Sequence, residues 1–305
     1  MNEKNGPERI LVLADDSPAA ESAVRAATQI AAGIGLPLAI LGVSGSSAED
    51  APIEAALSGA YDYARQRLAS VETVRSTGDL FEVASRRVSG TPTALVVVGA
   101  RPRPGPARQR IAPGVWRLVR ELAPPVLVTP PGDFSVKSAL FCTGGERFIE
   151  EGARFAARIA AALQTAVTVF HVSPDLPGMY GDRLRESEIS PTEFLASNSR
   201  LARNVGRQIE IFRTAGAETT LRLATGDVVP RVLEEVRRRG HTLLIVGSSP
   251  IRGALQTYML GDRTRDIVGA AGRPFLVLRS APAGFWAEIW RSLKEGAATG
   301  AAGEK

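Results

Sequence analysis

Ala94-Leu95-Val96-Val97-Val98-Gly99-Ala100 is the stretch that decides the fold. An unbroken apolar run of this kind predicts a strand buried on both faces of a parallel sheet, and Gly99 marks the turn that follows it. The second half repeats the pattern in Leu243-Leu244-Ile245-Val246-Gly247-Ser248. A Thr-Gly-Asp motif precedes both runs, at Thr77–Asp79 and Thr225–Asp227, with the same spacing from motif to strand. The chain therefore contains an internal duplication.

Strand and helix patterns alternate on both sides of these runs. The apolar strand Ile10–Ala14 opens the first half, and a helix is predicted over Ala51–Ala69. In the second half a helix is predicted over Arg147–Leu163, and another ends near Thr214 after a long polar segment. Such alternation implies right-handed crossovers and a parallel sheet. The predicted fold class is α/β, with two doubly wound, parallel five-stranded sheets of Rossmann-like type in tandem. The predicted divisions are domains at 1–132 and 133–281 and a C-terminal segment at 282–305.

Composition limits the classes of partner. The net charge is +5, yet the arginines are interleaved with acids on predicted helix faces and aromatic residues make up only 6%. A nucleic-acid face with stacking aromatics is therefore not expected. Cys142 is the only cysteine, so no internal disulfide can form. A polar N-terminus and the lack of an apolar run long enough to cross a bilayer predict a cytoplasmic protein without a membrane span.

The turns after the first and fourth strands of each half are the expected ligand sites. Ligands of doubly wound sheets bind at the carboxyl ends of the strands, where the strand order reverses. In the first half the turn reads Asp15-Asp16-Ser17-Pro18, in which Asp or Ser can cap the next helix. In the second half it reads Thr143-Gly144-Gly145-Glu146.

These turns resemble those of the universal stress protein family. Members commonly have a first strand ending in Asp-Gly-Ser, a Gly-Asp pair before the third helix, and a glycine motif after the fourth strand. The resemblance extends from Glu8 to Ser280. It implies an adenine-nucleotide alpha-hydrolase-like fold, ATP or another adenine nucleotide as ligand, and a stress-linked regulatory role without catalysis. It also implies pairing of the two domains as an intramolecular pseudo-dimer through their last strands, with homo-oligomers as a further option.

The resemblance assigns a nucleotide site in the first half in which the phosphate motif is altered. Asp16 stands where the family has glycine, and Pro102 replaces the second glycine of the phosphate loop. Proline has no N–H to donate to a phosphate, so only arginine side chains of the loop remain for that role. The site residues implied here are Ala14, Asp15, Ser17, Val43, Gly99 and Arg101.

The site implied in the second half is altered in a different way. Thr143 replaces the adenosine-binding Asp, and Pro250 replaces the middle glycine of the phosphate loop. Asp262 stands where the family has Ser or Thr, and an acid at a helix N-terminus repels phosphate. We therefore expect adenine-nucleotide binding to be weak or lost. The implied residues are Thr143, Gly247, Ser248, Gly253, Gly261, Asp262 and Arg263.

Two other functions stay open. One is a protein-interaction scaffold without a nucleotide, because Phe285, Trp286, Ile289, Trp290 and Leu293 form an apolar helical face that can dock on its own domain, on a partner or on a membrane surface. The other is an enzyme resembling ATP pyrophosphatases, whose pyrophosphate loop contains a Gly-Gly turn similar to the one after Thr143.

Catalytic and metal sites find little support in the sequence. The chain has only two histidines, His171 and His241. A nucleophilic mechanism would need one of them within hydrogen-bond reach of a Ser or Cys, and we expect both to be structural. No His/Cys cluster has the spacing of metal ligands.

Overall fold

The computed structural model of the protein describes residues 8–45, 50–100, 103–106, 111–145, 150–173, 190–248 and 262–279. The chain divides into two compact units. The first contains the described residues up to Arg103 together with Ile111–Phe134, and the second contains 135–279 together with 104–106. The domain boundaries expected from sequence stay predictions.

The first unit alternates strands and helices, and every strand pair in it is parallel. The strands lie in the order β3-β2-β1-β4-β5. Its elements are β1 (Arg9–Ala14), α1 (Pro18–Ile34), β2 (Leu38–Ser44), α2 (Asp50–Arg65), β3 (Val71–Thr77), α3 (Leu80–Gly90), β4 (Thr93–Gly99), α4 (Pro113–Glu121) and β5 (Val126–Thr129).

The second unit repeats this plan in the strand order β10-β9-β6-β7-β8, again with parallel pairs. The predicted α/β class, the parallel sheet and the duplication are confirmed. Its elements are β6 (Ser138–Thr143), α5 (Glu150–Ala162), β7 (Ala166–Ser173), α6 (Pro191–Ala196), α7 (Arg200–Thr214), β8 (Thr219–Thr225), α8 (Val228–Arg239), β9 (Leu243–Ser248), α9 (Asp262–Ala271) and β10 (Phe275–Arg279).

The central strands supply the core of each unit. Ile10–Val12 in β1 and Leu95–Val97 in β4 are at most 1% exposed, because helices cover both faces of a doubly wound sheet. Each large aliphatic side chain buried in this way contributes about 1.5–3 kcal/mol. Ala23, Ala26, Ala27 and Ala31 of α1 are fully buried and let that helix approach the sheet closely.

One helix ends before its predicted bound, and one short helix was not predicted. The helix predicted over Ala51–Ala69 ends at Arg65, because the Arg65 guanidinium donates to the carbonyls of Leu68 and Ala69 and closes a turn there. The helix predicted to end near Thr214 does end there, and the short helix α6 lies in the polar segment before it. Ser190 begins α6 with a capping box, and Ser199 caps α7 after Asn198 in the left-handed region. The described part of the helix predicted from Arg147 begins at Glu150.

An arginine connects α3 and α4 in the first unit. Arg117 Nη2 lies 2.9 Å from Glu82 Oε1, and Arg117 Nη1 lies 3.6 Å from the carboxylate of Asp79, the N-cap of α3. The same guanidinium stacks 3.9 Å above the ring of Phe81 and pairs with Glu121 on its own helix. These exposed contacts join the first turn of α3 to the middle of α4.

Residues 282–305, which include the predicted apolar face at Phe285–Leu293, lie outside the described part of the chain. Among the described residues, no helix is long and apolar enough to span a bilayer.

Candidate functional site

Each unit contains one crevice where its strand order reverses. In the first unit the reversal lies between β1 and β4, and in the second between β6 and β9. The turn after the first strand of each unit borders this crevice, as expected for a ligand site of a doubly wound sheet. The two turns differ in accessibility and in hydrogen bonding.

The turn after β1 is exposed and acidic. Asp15 and Asp16 are both exposed. Asp15 Oδ1 accepts a hydrogen bond of 2.9 Å from the Ser17 N–H, and Ser17 Oγ accepts one of 3.2 Å from the Ala20 N–H as the N-cap of α1. Within the described part of the chain no side chain pairs with the second oxygen of Asp15. That oxygen can therefore accept hydrogen bonds from a ligand hydroxyl or amine.

Gly99 fixes the distance between β4 and the start of α1. A Cβ atom at Gly99 would lie 2.3 Å from the carbonyl carbon and oxygen of Ala19 and 2.5 Å from the nitrogen of Ala20. Since these are backbone atoms, no rotamer change can relieve the contact, and only glycine fits. The predicted site residue Gly99 thus positions the turn that carries Asp15.

The end of β2 forms the neighbouring wall of the first crevice. Gly42 lies level with Ala14, and a Cβ atom at Gly42 would lie 2.7 Å from Ile53 Cγ2 and 2.9 Å from Leu57 Cδ1. Helix α2 therefore packs directly on the strand. Val43, a predicted site residue, follows Gly42 and is half-buried.

The turn after β6 is buried at Thr143 and Gly145 and exposed at Gly144. Thr143 Oγ1 accepts a hydrogen bond of 2.9 Å from the Gly145 N–H, and both residues are buried. Gly145 has φ +75°, and a Cβ atom there would lie 2.0 Å from Leu201 Cδ1. Asn204 Nδ2 donates to the Gly145 carbonyl at 2.9 Å. Side chains from α7 thus occupy the space directly over this turn.

His171 completes the filling of the second turn. It lies level with Thr143, as Gly42 lies level with Ala14 in the first unit. The ring is 5% exposed, its Nδ1 is 2.9 Å from the Thr143 carbonyl oxygen, and it stacks on Phe194 of α6 at a centroid distance of 6.3 Å. Burial lowers the pKa of His171, against the opposing effect of its bond to Thr143. His171 is therefore a neutral, structural group at neutral pH.

Strand pairing shifts the predicted equivalence of the two turns by one residue. In the first repeat Ala14 pairs with Gly42, and in the second repeat Thr143 pairs with His171 at the corresponding point of the sheet. Thr143 is therefore equivalent to Ala14, and the next residue, Gly144, is equivalent to Asp15. In hydrogen bonding, however, Thr143 performs the turn-closing role of Asp15, since each accepts from the N–H two residues later. The second turn thus begins one residue earlier, and by either measure it lacks the carboxylate.

His241 lies in a second buried polar cluster at the amino ends of the strands. Its Nδ1 is 3.3 Å from Ser138 Oγ, and its Nε2 is 3.9 Å from Glu235 Oε1. Glu235 also pairs with Arg222 at 3.4 Å. Burial lowers the pKa of His241, opposed by the Glu235 carboxylate. Because this edge is opposite the crevice, we assign the His–Ser contact a structural role.

The thiol of Cys142 is poorly reactive. It is half-buried in β6, between Phe170 and Val246 on the neighbouring strands. Burial, together with the Glu235 carboxylate, raises its pKa to about 12. Only a thiolate attacks as a nucleophile, so the thiol form that dominates at neutral pH is chemically inert. Among the described residues no group of three or more His, Cys, Asp or Glu side chains has the arrangement of a metal site.

Comparison with protein families decides the relationship. The model of the universal stress protein family matches residues 7–130 and again residues 136–279. This chain belongs to the universal stress protein family. The two matches confirm the resemblance stated from sequence and its division into two repeats.

Solved structures share the tandem fold of this universal stress protein. A universal stress protein from Archaeoglobus fulgidus DSM 4304 is 13% identical with a TM-score of 0.62, over 92% of this chain and 100% of that chain. A protein of unknown function from Pseudomonas aeruginosa PAO1 is 18% identical with a TM-score of 0.62, over 97% and 100%. At these identities the likeness is one of fold. No curated protein matches the sequence.

The structure brings together only part of the predicted site of this universal stress protein. Ala14, Asp15, Ser17 and Gly99 meet at the first crevice through the paired ends of β1 and β4. In the second repeat Gly247 is the second-last residue of β9 and lies level with Leu278, and α9 begins at Asp262. Of the remaining predicted residues, Ser248 and Arg263 are described only as parts of β9 and α9, and Arg101, Gly253 and Gly261 lie outside the described residues.

Proposed function

We propose that this universal stress protein is a non-catalytic, regulatory protein in which adenine-nucleotide binding is weak and confined to the first repeat. The observation that supports this is the contrast between an exposed Asp15 carboxylate in the first turn and the second turn, where Gly144 stands at the position of Asp15 and side chains of α7 contact Gly145. An exposed acid at the reversal point can accept hydrogen bonds from ribose hydroxyls. In the second repeat Leu201, Asn204 and His171 occupy the same region.

Weak binding follows from the phosphate loop of the first repeat. Pro102 and Pro104 are present where the loop follows Gly99 and Ala100, and neither can donate a backbone N–H. Strong phosphate binding in such folds comes from backbone amides at a helix N-terminus. We therefore expect recognition of the nucleoside, with arginine side chains adding a modest, salt-dependent contribution from the phosphates.

Isothermal titration calorimetry of the full chain with adenosine, AMP and ATP tests this proposal. We expect dissociation constants on the order of 0.1–1 mM, differing by less than about tenfold between adenosine and ATP. Asp15→Asn removes a charged acceptor and should weaken adenosine binding about tenfold or more. The matched control is Asp16→Asn, which makes the same charge change one residue later in the same exposed turn and should leave affinity within about twofold.

Two results would overturn the proposal. One is the absence of heat with all three ligands at millimolar concentration, which would favour a scaffold without a nucleotide. The other is equal weakening by Asp15→Asn and Asp16→Asn, which would mean that only general charge matters. The stress-response role follows from family membership, and a cytoplasmic location is part of the same proposal.

A further inference from the structure

A concave groove lies in the first repeat between α3 and the strands β2 and β3. Its volume is about 400 Å³, within the range of small-molecule sites. Leu41 and Val74, which pair across β2 and β3, and Val83 of α3 provide apolar walls. Arg86, Arg87 and Ser76 supply the polar lining. The groove therefore has a mixed apolar and polar lining, and its two arginines lie on α3.

The positive charge beside this groove exceeds the negative charge. The Arg87 guanidinium pairs with Glu72, and Arg9 Nη1 lies 2.6 Å from the same carboxylate. Two arginines thus share one acid. Arg86 is exposed and donates from Nε to the Glu82 carbonyl at 3.4 Å. In the described part of the chain it pairs with no carboxylate, so its terminal N–H groups can bind an anion.

We propose that this groove binds a small aliphatic carboxylate, with the hydrocarbon chain against Leu41, Val74 and Val83 and the carboxylate on Arg86. A guanidinium matches a carboxylate with two parallel hydrogen bonds. Val74 is only half-buried and gains from being covered by a hydrocarbon chain, and the volume accommodates a chain of about eight carbons. The site is separate from the Asp15 turn, which lies at the end of β1.

The second repeat shows the same place without these properties. Strand pairing places Phe170 and Arg222 where the first repeat has Leu41 and Val74. The sequence spacing of the repeats places Glu234 and Glu235 at the positions of Arg86 and Arg87. Arg222 pairs with Glu235 at 3.4 Å, so an internal ion pair occupies the position of the apolar wall. The signs of the charges on the helix are reversed, and we expect no carboxylate binding there.

Titration of the full chain with sodium octanoate tests the inference, followed by calorimetry or by ligand-observed NMR. Octanoate should bind with a dissociation constant on the order of 0.1–1 mM. It should bind at least fivefold more tightly than octanol, which lacks the charge, and at least fivefold more tightly than acetate, which lacks the hydrocarbon chain. Arg86→Gln should weaken octanoate binding about three- to tenfold. Arg237→Gln, which removes an exposed arginine of α8, is the matched control and should change affinity by less than twofold.

Val74→Arg introduces the residue that the second repeat carries at this position and should abolish octanoate binding. Circular dichroism melting of this variant shows whether it is folded, and Arg86→Gln keeps the test valid if it is not. Octanoate that binds no more tightly than octanol, or equal losses in Arg86→Gln and Arg237→Gln, would overturn the proposal. Asp15→Asn should leave octanoate binding unchanged, so this site and the nucleotide site succeed or fail separately.

Discussion

After β1 the chain forms an exposed turn in which the Ser17 N–H donates to the Asp15 carboxylate. After β6 it forms a turn whose Thr143 and Gly145 are buried against Leu201, Asn204 and His171. The strand order and the pairing of the strands are the same in both repeats. The repeats differ in the side chains of the second strand and of the following helix that contact the turn. In the second repeat one of them, Asn204 of α7, is 59 positions along the chain from Gly145, to which it donates. In this duplicated fold, the packing of the turn is therefore decided largely by residues outside the turn motif.

The largest effect should come from the backbone contact that fixes the first turn. Gly99→Ala would place a methyl group 2.3 Å from backbone atoms of Ala19, and we expect a loss of about 4 kcal/mol or more in the free energy of unfolding because the backbone must move. Urea unfolding measures this loss. Gly90→Ala is the control, since nothing lies within 4 Å of a Cβ there, and it should be neutral or stabilise the protein by up to about 1 kcal/mol.

A somewhat smaller loss in the free energy of unfolding is expected from substitution in the second turn. Gly145→Ala combines a left-handed backbone with the contact to Leu201 and should cost about 2–4 kcal/mol. Gly240→Ala has a similar φ of +66° but no neighbour within 4 Å, so its cost should be only about 1–2 kcal/mol. Adding Leu201→Ala to Gly145→Ala should recover part of the difference in urea unfolding. Equal costs for the two glycines would contradict the filled turn.

Lowering the pH should destabilise the second repeat before the first, because both histidines lie in the second repeat. Burial lowers the pKa of His171 and of His241 below the ordinary value of 6.5. The unfolded chain therefore takes up protons first as the pH falls through 6.5, and stability is lost from there down to the folded-state pKa values. Hydrogen exchange should show earlier loss of protection in β6–β9 than in β1–β5 between pH 7.5 and 5.5.

The control for acid sensitivity is a protein with both His171→Gln and His241→Gln. It should lose less stability over this pH range than the parent protein does, even if it is less stable at pH 7.5. Parallel loss of protection in both repeats would show instead that carboxylates, which both repeats contain, dominate the response.

The smallest expected signal is the alkylation of Cys142. With a pKa of about 12, the thiolate fraction at pH 8 is lower than that of an ordinary cysteine by roughly three orders of magnitude. Iodoacetamide labelling followed by mass spectrometry should therefore proceed at the rate at which the second repeat opens. Rapid labelling of the native protein at pH 8 would contradict the environment described for β6.

Sequence predicted the strands and the reversal points well. Runs such as Ala94–Val98 are apolar without interruption because both faces of each strand are covered, and the glycine after each run marks the turn. The helix ends were less predictable, since α2 ends where Arg65 binds the carbonyls of Leu68 and Ala69. That bond depends on one side-chain conformation, which hydrophobic periodicity does not report.

The candidate site was predictable only in its acidic part. Asp15 follows an apolar strand and precedes a helix, which is a local signal. Leu201 and Asn204 lie on an amphipathic helix far along the chain, and nothing in their neighbourhood in sequence indicates that they fill the turn after β6. The one-residue shift at Thr143 was also hidden, because a glycine-rich turn permits either alignment. The charge of the groove beside Arg86 was not predictable either, because it depends on ion pairs between separate elements, in which Arg9 and Arg87 share Glu72.

The contacts of Arg117 have a mechanical consequence for the first repeat. Helix α4 follows directly on the loop that succeeds β4, while α3 carries Arg86 one turn beyond Glu82. A ligand that displaces α4 must either move the start of α3 with it or break the contacts of Arg117 with Asp79, Glu82 and Phe81. Coupling of this kind is reciprocal. If the ligand changes the affinity of the groove for its occupant by a given factor, the occupant changes the affinity of the protein for the ligand by the same factor.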